Sequence, residues 1–121
     1  MQTYAGTCHR MFFANRENGK PLDECPDNDQ HNVDTIDGLV NLPPVIFAAA
    51  AGGEAAINAS ASAAVTLLRR SSALPQYAQV YAAMLTSVAS GTSLKEAVAA
   101  AAASVGLDVA SAARGRAPMV A

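Results

Sequence analysis

Apolar residues recur at intervals of three and four along most of this chain, which is the spacing of one face of a helix. The first predicted helix covers residues 3–18, and its apolar face consists of Tyr4, Cys8, Met11 and Phe12. A second predicted helix covers residues 34–51, where Pro43 and Pro44 are expected to kink it or split it into two pieces. Asp34 is its expected N-cap, and a Gly-Gly pair ends it.

Three further helices are predicted in the Ala-rich second half of the chain. One covers residues 54–70, and the next begins at Leu74 with Pro75 in its first turn. The apolar stripe of that helix, which we expect in the core, consists of Tyr77, Val80, Tyr81, Met84, Leu85 and Val88. The last helix begins at Ser93, a capping-box residue, and ends near Gly106. No stretch alternates apolar and polar residues as a strand does, so the pattern predicts an all-α fold of about five helices.

Composition agrees with helices that pack closely around a thin core. The 121 residues include 28 Ala, the best helix former, whereas only 5% are aromatic and none is Trp. We expect residues 1–106 to form the helical domain. Residues 107–121 have no apolar stripe and are expected to form a loosely ordered tail.

Charge and hydropathy narrow the classes of function. The net charge of −2 gives no support for nucleic-acid binding. The first residues lack the basic and apolar regions of a secretory signal, and both long uncharged runs are interrupted by proline or polar residues. Two cysteines are too few for a disulfide scaffold. We therefore expect a cytoplasmic protein with no nucleic-acid or membrane partner.

One polar segment, residues 25–38, has the residue types that chemistry needs. It contains four Asp, two Asn and one His, and carboxylates suit hard cations such as Mg²⁺ or Ca²⁺. Its spacing does not fit a calcium-binding loop, because Asn32 and Gly38 stand where Gly and Glu are required. The cysteines and histidines lack the ligand spacing of a zinc site. The alternative is a turn-forming loop that leads into the second helix through the Asp34 cap.

The string Asp-Asn-Asp-Gln-His-Asn-Val-Asp-Thr-Ile-Asp at residues 27–37 resembles the J-crystallin-like branch of the ADP-ribosylglycohydrolase family. Shorter matching stretches lie at residues 10–15, 19–20, 43–46, 74–78 and 91–97. The resemblance covers about residues 4–104. The string is its specific part, since Ala-rich helices match many proteins.

This resemblance implies an all-α fold and the hydrolysis of N- or O-glycosidic bonds of ADP-ribosyl groups with a pair of Mg²⁺ ions. The family takes its Mg²⁺ ligands from a Ser/Thr-Asp-Asp type motif and from a Gly-Gly-Asp type motif. Neither motif occurs in this sequence, so no metal ligand and no catalytic residue is assigned. We therefore expect a truncated middle portion of the family's domain, without hydrolase activity on its own.

The resemblance also implies that the polar segment borders a pocket for an ADP-ribosyl ligand. The candidate pocket residues are Asp27, Asn28, Asp29, His31, Asn32, Asp34 and Asp37. The alternative function is that of a non-catalytic, crystallin-like helical protein with a structural or partner-binding role. Its partner would be a second copy of the chain or the missing remainder of the domain.

Overall fold

The described part of the chain, residues 5–31 and 33–109 of the computed structural model, is helical. The α-helices are α1 (Thr7–Glu17), α2 (Leu42–Ala49), α3 (Gly53–Val65), α4 (Leu74–Ala89) and α5 (Leu94–Ser104). Short 3₁₀ turns lie at Leu22–Glu24, Ile36–Leu39 and Ala50–Gly52. These residues form no strand, and a single isolated bridge joins Asp27 and Arg69. The all-α prediction is confirmed.

The two adjacent prolines split the second predicted helix. Pro43 and Pro44 lie in the first turn of α2, and the residues before them form the separate 3₁₀ turn Ile36–Leu39. Proline is tolerated there because the first N–H groups of a helix have no intrahelical acceptor. α2 packs against α3 through a tight connection in which Gly53 has a φ of 83°. Backbone in that region favours glycine, because a Cβ would clash with it.

The third helix ends earlier than the sequence predicts. α3 stops at Val65, and the Thr66 hydroxyl donates a hydrogen bond of 2.8 Å to the carbonyl of Ser62. Such a bond to the preceding turn competes with the continuing helix. The backbone N–H of Arg70 instead donates to the carbonyl of Asp27 at 2.9 Å. The prediction that this helix reaches Arg70 is therefore wrong, because a bond to a distant loop takes its place.

The chain divides after Gln79 into two compact units. The buried apolar residues of the first unit are Cys8, Phe12, Cys25, Val33, Leu42, Ile46, Ala61, Val65, Leu74 and Ala78. In the described part of the second unit they are Ala82 and Ala97. The core is thin, as the composition predicts.

The buried face of α4 is not the one that the apolar stripe predicts. Leu74, Ala78 and Ala82 are fully buried at intervals of four, whereas none of the six larger stripe residues is buried. Tyr77 is 51% exposed. The buried face of α4 is therefore a line of Leu74 and two small Ala side chains, and the larger apolar residues lie beside it.

α5 begins as the capping-box spacing predicts, since the Ser93 hydroxyl accepts a hydrogen bond of 3.2 Å from the N–H of Glu96. After α5, Gly106 has a φ of 75° and the N–H of Leu107 donates to the carbonyl of Ala102 at 2.8 Å. This closure satisfies a carbonyl of the last turn. Of the predicted tail, residues 110–121 lie outside the described residues, and the domain boundary at residue 106 stays a prediction.

One helical run among the described residues, Ile36–Val65, is long and apolar enough by length and composition to cross a membrane. Only 11% of its most apolar window is buried. Core helices of soluble proteins pass the same test, and this run is interrupted by two prolines and by the turn at Gly53. This helical run is only weak evidence for a membrane partner. The expectation that the protein has no membrane partner stays a prediction.

Candidate functional site

A cleft of about 370 Å³ with several polar side chains lies in the first unit. One wall is the beginning of α1, another is the start of the Ile36–Leu39 turn, and the third is a single arginine. The lining residues are Gly6, Thr7, Cys8, His9, Thr35, Ile36, Asp37 and Arg69. The cleft brings together an arginine, a carboxylate, two hydroxyls and an imidazole, which are groups that bind polar ligands.

The α1 wall presents the N-terminal end of a helix without a side-chain cap. Gly6 occupies the N-cap position and has no side chain that could accept from the N–H groups of the first turn, and the first turn contains no acidic residue. The first N–H groups of a helix have no intrahelical acceptor and carry partial positive charge. This wall of the cleft is therefore favourable for an anionic group.

Arg69 supplies the full positive charge of the cleft. The residue is 6% exposed, and its Nη1 lies 3.4 Å from Oδ1 of Asp37, which is the side chain that it hydrogen-bonds among the described residues. A guanidinium remains charged and has five N–H donors, so one long contact leaves it able to bind a further acceptor. Asp37 is 68% exposed, which makes this ion pair a weak one.

Gly38 lies close to the side chains of Leu74 and Arg69. A Cβ added at Gly38 would lie 3.0 Å from Cδ1 of Leu74 and 3.4 Å from Nη1 of Arg69. The separation from Leu74 is tighter than ordinary van der Waals contact, so a larger residue would require Leu74 to move, whereas the separation from Arg69 is an ordinary contact. The Asp-Gly pair at residues 37–38 thus places a carboxylate beside Arg69 and leaves room for Leu74.

The pKa values of Asp37 and Cys8, two titratable groups of the cleft, are shifted in opposite directions. A hydrogen bond from the Thr35 hydroxyl, aided by the charge of Arg69, lowers the pKa of Asp37, although partial burial opposes this. Burial raises the pKa of the Cys8 thiol, although the charge of Arg69 opposes the change. Asp37 is therefore held as a carboxylate. Cys8 is held as a thiol, which is a poor nucleophile.

In the first part of the Asp-rich string, the Asp and Asn side chains accept hydrogen bonds from backbone N–H groups of the same loop. Asp27 accepts hydrogen bonds from Nδ2 of Asn15 at 3.0 Å and from the N–H of Asn28 at 2.8 Å. The Asn28 side chain accepts from the N–H of Gln30 at 2.6 Å, and Asp29 accepts from the N–H of His31 at 3.0 Å. These are the local bonds by which Asn and Asp stabilise turns. The bond from Asn15 is the main cause of a lowered pKa of Asp27.

Asp34 stabilises the start of α4 instead of capping a helix of its own. It accepts a hydrogen bond from the Ser71 hydroxyl, and that hydroxyl accepts from the N–H of Leu74 at 3.0 Å. The expected N-cap role of Asp34 is therefore wrong, because Thr35 precedes the 3₁₀ turn and Ser71 holds the carboxylate.

Of the seven candidate pocket residues, the structure places Asp37 in the cleft. Asp27, Asn28, Asp29, His31 and Asp34 lie in the preceding loop and do not line it, and Asn32 lies outside the described residues. Sequence reasoning missed Arg69, which it treated as part of a helix end. A usable signal was its position directly after 14 uncharged residues, 55–68. A buried element is the setting in which an isolated charge needs a partner.

The described residues contain no group of three or more His, Cys, Asp or Glu side chains that could hold a metal ion. The carboxylates of Asp27 and Asp29 already accept backbone N–H groups, and Asp37 is paired with Arg69. These residues do not fit a pair of Mg²⁺ ions. Comparison with protein-family models, with curated proteins and with solved structures found no match.

Proposed function

We propose that the cleft binds an ADP-ribosyl group through Arg69 and that this chain does not hydrolyse the group on its own. The observation that carries the proposal is the buried Arg69 guanidinium, which faces the cleft with a single contact of 3.4 Å. The resemblance of residues 27–37 to the ADP-ribosylglycohydrolase family supports the choice of ligand.

The chemistry of the cleft favours binding over catalysis. Arginine donors match the geometry of phosphate oxygens, and the uncapped first turn of α1, whose residues line the same cleft, adds further N–H donors. Hydrolysis would need a base or nucleophile poised near neutral pH. The raised pKa of Cys8 and the lowered pKa of Asp37 move these two groups away from that range, so the His9 imidazole is the side chain of the cleft that a turnover assay examines as a base.

Titration calorimetry with ADP-ribose tests the binding. Arg69→Gln should weaken binding at least about tenfold, because it removes a charge-assisted contact to phosphate. Arg70→Gln is the matched control, since Arg70 is adjacent and exposed and does not line the cleft. It should bind within about twofold of the unsubstituted protein. Equal losses in the two variants would contradict a specific role for Arg69.

A turnover assay tests the absence of hydrolysis. The protein is incubated with Mg²⁺ and an ADP-ribosylated protein, and released ADP-ribose is measured against a blank without protein. We expect no release above that blank. Sustained release that scales with the concentration of the chain would overturn this part of the proposal.

A second candidate function, self-association through α5, is favoured by an exposed apolar groove. The groove has a volume of about 800 Å³ and is lined by Leu94, Lys95, Val98, Ala99, Ala103, Leu107, Asp108 and Val109. Leu94 and Leu107 are 67% and 60% exposed. Clustered apolar exposure of this kind marks interaction surfaces.

Sedimentation velocity at several concentrations tests the self-association. Leu107→Ser should lower the association, whereas Val40→Ser, at a similarly exposed site in the other unit, should not.

A further inference from the structure

Asp37 lies at the exposed side of the same cleft, next to the buried guanidinium of Arg69 on which the proposed function depends. Its side chain is 68% exposed and that of Arg69 is 7% exposed, with 3.4 Å between Oδ1 and Nη1. The Thr35 hydroxyl donates to the same Oδ1 and fixes the carboxylate beside the guanidinium. A ligand that reaches Arg69 from solvent therefore meets the Asp37 carboxylate as well.

The charges of Arg69 and Asp37 act on an anionic ligand in opposite directions. Arg69 attracts a phosphate or carboxylate group, whereas Asp37 repels it over a separation of a few ångströms. Asp37 is a hydrogen-bond acceptor only, because its depressed pKa keeps it ionised. It is compatible with an anion only when the same molecule offers O–H or N–H donors close to the anionic group.

We propose that Asp37 is the specificity-determining residue of the cleft, which excludes simple anions from Arg69 and admits phosphate esters that carry neighbouring hydroxyl groups. The inference rests on the proposed function, since it concerns the same site, and it adds the basis on which that site selects its ligand. A hydroxyl group close to the phosphate is the natural match for this carboxylate, because it can donate to Oδ2, whereas Oδ1 accepts from Thr35 and Arg69.

The other groups around Asp37 agree with this assignment. α1 contributes Thr7, Cys8 and His9, and the turn contributes Thr35, so Arg69 is the full positive charge beside the carboxylate among the described residues. Asp29 acts electrostatically on the same region, since its charge helps to raise the pKa of Cys8. The charge of Asp29 therefore adds to the repulsion of a bare anion near Cys8.

A pair of ligands with the same charged group tests the proposal. Ribose 5-phosphate carries a phosphate monoester and vicinal hydroxyls, whereas methyl phosphate carries the monoester alone. Calorimetry on the unsubstituted chain should give a preference for ribose 5-phosphate of about tenfold, which corresponds to about one hydrogen bond to a charged acceptor. Asp37→Asn should bring the preference close to one and should raise the affinity for methyl phosphate about tenfold, because the repulsion is removed.

Two further variants complete the test. Asp23→Asn makes the same charge change at an exposed site in the Leu22–Glu24 turn, and it should leave the preference unchanged. Asp37→Glu keeps the charge and should keep methyl phosphate weakly bound. A preference that survives Asp37→Asn, or a methyl phosphate affinity that falls in this variant, would overturn the inference.

The outcomes separate this inference from the proposed function. If Arg69→Gln abolishes ribose 5-phosphate binding and Asp37→Asn changes nothing, the Asp37 inference fails and the Arg69 site stands. If Arg69→Gln has no effect on ribose 5-phosphate or ADP-ribose, the proposed function itself fails. If the unsubstituted chain binds ADP-ribose but neither phosphate ester, the Asp37 inference fails and the proposed function stands, whereas both fail if it binds none of the three ligands.

Discussion

Asp27 connects three stretches of the chain with one side chain and one carbonyl. Its carboxylate accepts from the Asn15 side chain of α1 and from the N–H of Asn28, and its carbonyl accepts from the N–H of Arg70. A residue that the sequence suggests as a pocket group thus holds α1, the polar loop and the segment after α3 together. These bonds also position Arg69, the neighbour of Arg70.

The contribution of Asp27 to stability should depend on pH. Its folded-state pKa is lowered, mainly by Asn15, so its stabilising effect is present above the unfolded value of 3.8 and is lost as the pH falls through the folded value. At pH 7, Asp27→Asn should lower the free energy of unfolding by about 1 kcal/mol, a figure reduced from that of buried charged bonds because the site is partly solvated. The difference should shrink at pH 3.

Urea unfolding at the two pH values measures this effect. Asp23→Asn is the control, because it makes the same charge change at an exposed site. A cost of Asp27→Asn that is as large at pH 3 as at pH 7 would show that its carboxylate charge is not what stabilises the fold.

At the scale of single residues, the sequence identifies the polar loop but not the composition of the cleft. Asp37 could be predicted because it lies in an Asp-rich string. Arg69 could not, because its role depends on a turn more than 30 residues earlier. Residue type alone does not separate Asp37, which lines the cleft, from Asp29, which bonds to its own loop.

Among the helical elements, the connection between α2 and α3 depends on one backbone conformation. Gly53 has φ 83° and ψ −175°, a region that residues with a side chain essentially never adopt. The preceding Gly52 is constrained by space instead, since a Cβ there would lie 2.6 Å from that of Ala56. The Gly-Gly pair therefore serves two different physical requirements.

Gly53→Ala should destabilise the protein by about 1–3 kcal/mol, because the new Cβ strains the backbone in this region. Thermal unfolding followed by circular dichroism measures the loss. Gly6→Ala is the matched control: its φ is −58°, and the added Cβ meets only the His9 ring at an ordinary 3.8 Å. A loss of stability for Gly53→Ala no larger than that of the control would contradict the strain argument.

Helix starts are predictable in this chain where the signal is local. The Ser93 cap and the prolines of α2 act within a single turn, so a short stretch of sequence contains the whole cause. The end of α3 is different, because the segment after Val65 leaves the helix to bond with Asp27. No local pattern encodes that bond, and the prediction of a longer helix fails for that reason.

On the scale of the whole molecule, few large side chains form the core. The largest that are fully buried are Leu42, Ile46, Leu74 and Cys25, all in the first unit. A small chain of this kind buries a small fraction of its surface, so each of these residues accounts for a large share of the stability. The thin core could be predicted from the 28 Ala, but which face of α4 is buried could not.

Ile46→Ala should lower the free energy of unfolding by about 2–4 kcal/mol, because Ile46 is fully buried and its neighbours cannot close the cavity completely. Urea unfolding measures the loss. Val40→Ala, at a site that is 69% exposed, should cost less than about 0.5 kcal/mol. Equal costs at the two positions would show that Ile46 is not part of a packed core.

The close approach of Gly38 to Leu74 provides a criterion for finding other chains that fold in this way beside the cleft. A methyl group at residue 38 would lie 3.0 Å from Cδ1 of Leu74, so the two positions constrain each other although they are far apart in the sequence. In any chain that shares this packing, we expect glycine at the first position wherever leucine occupies the second. A shorter residue in place of the leucine should permit larger residues at the first position. This paired pattern, together with the Asp-rich string, is a signature by which structural relatives can be recognised.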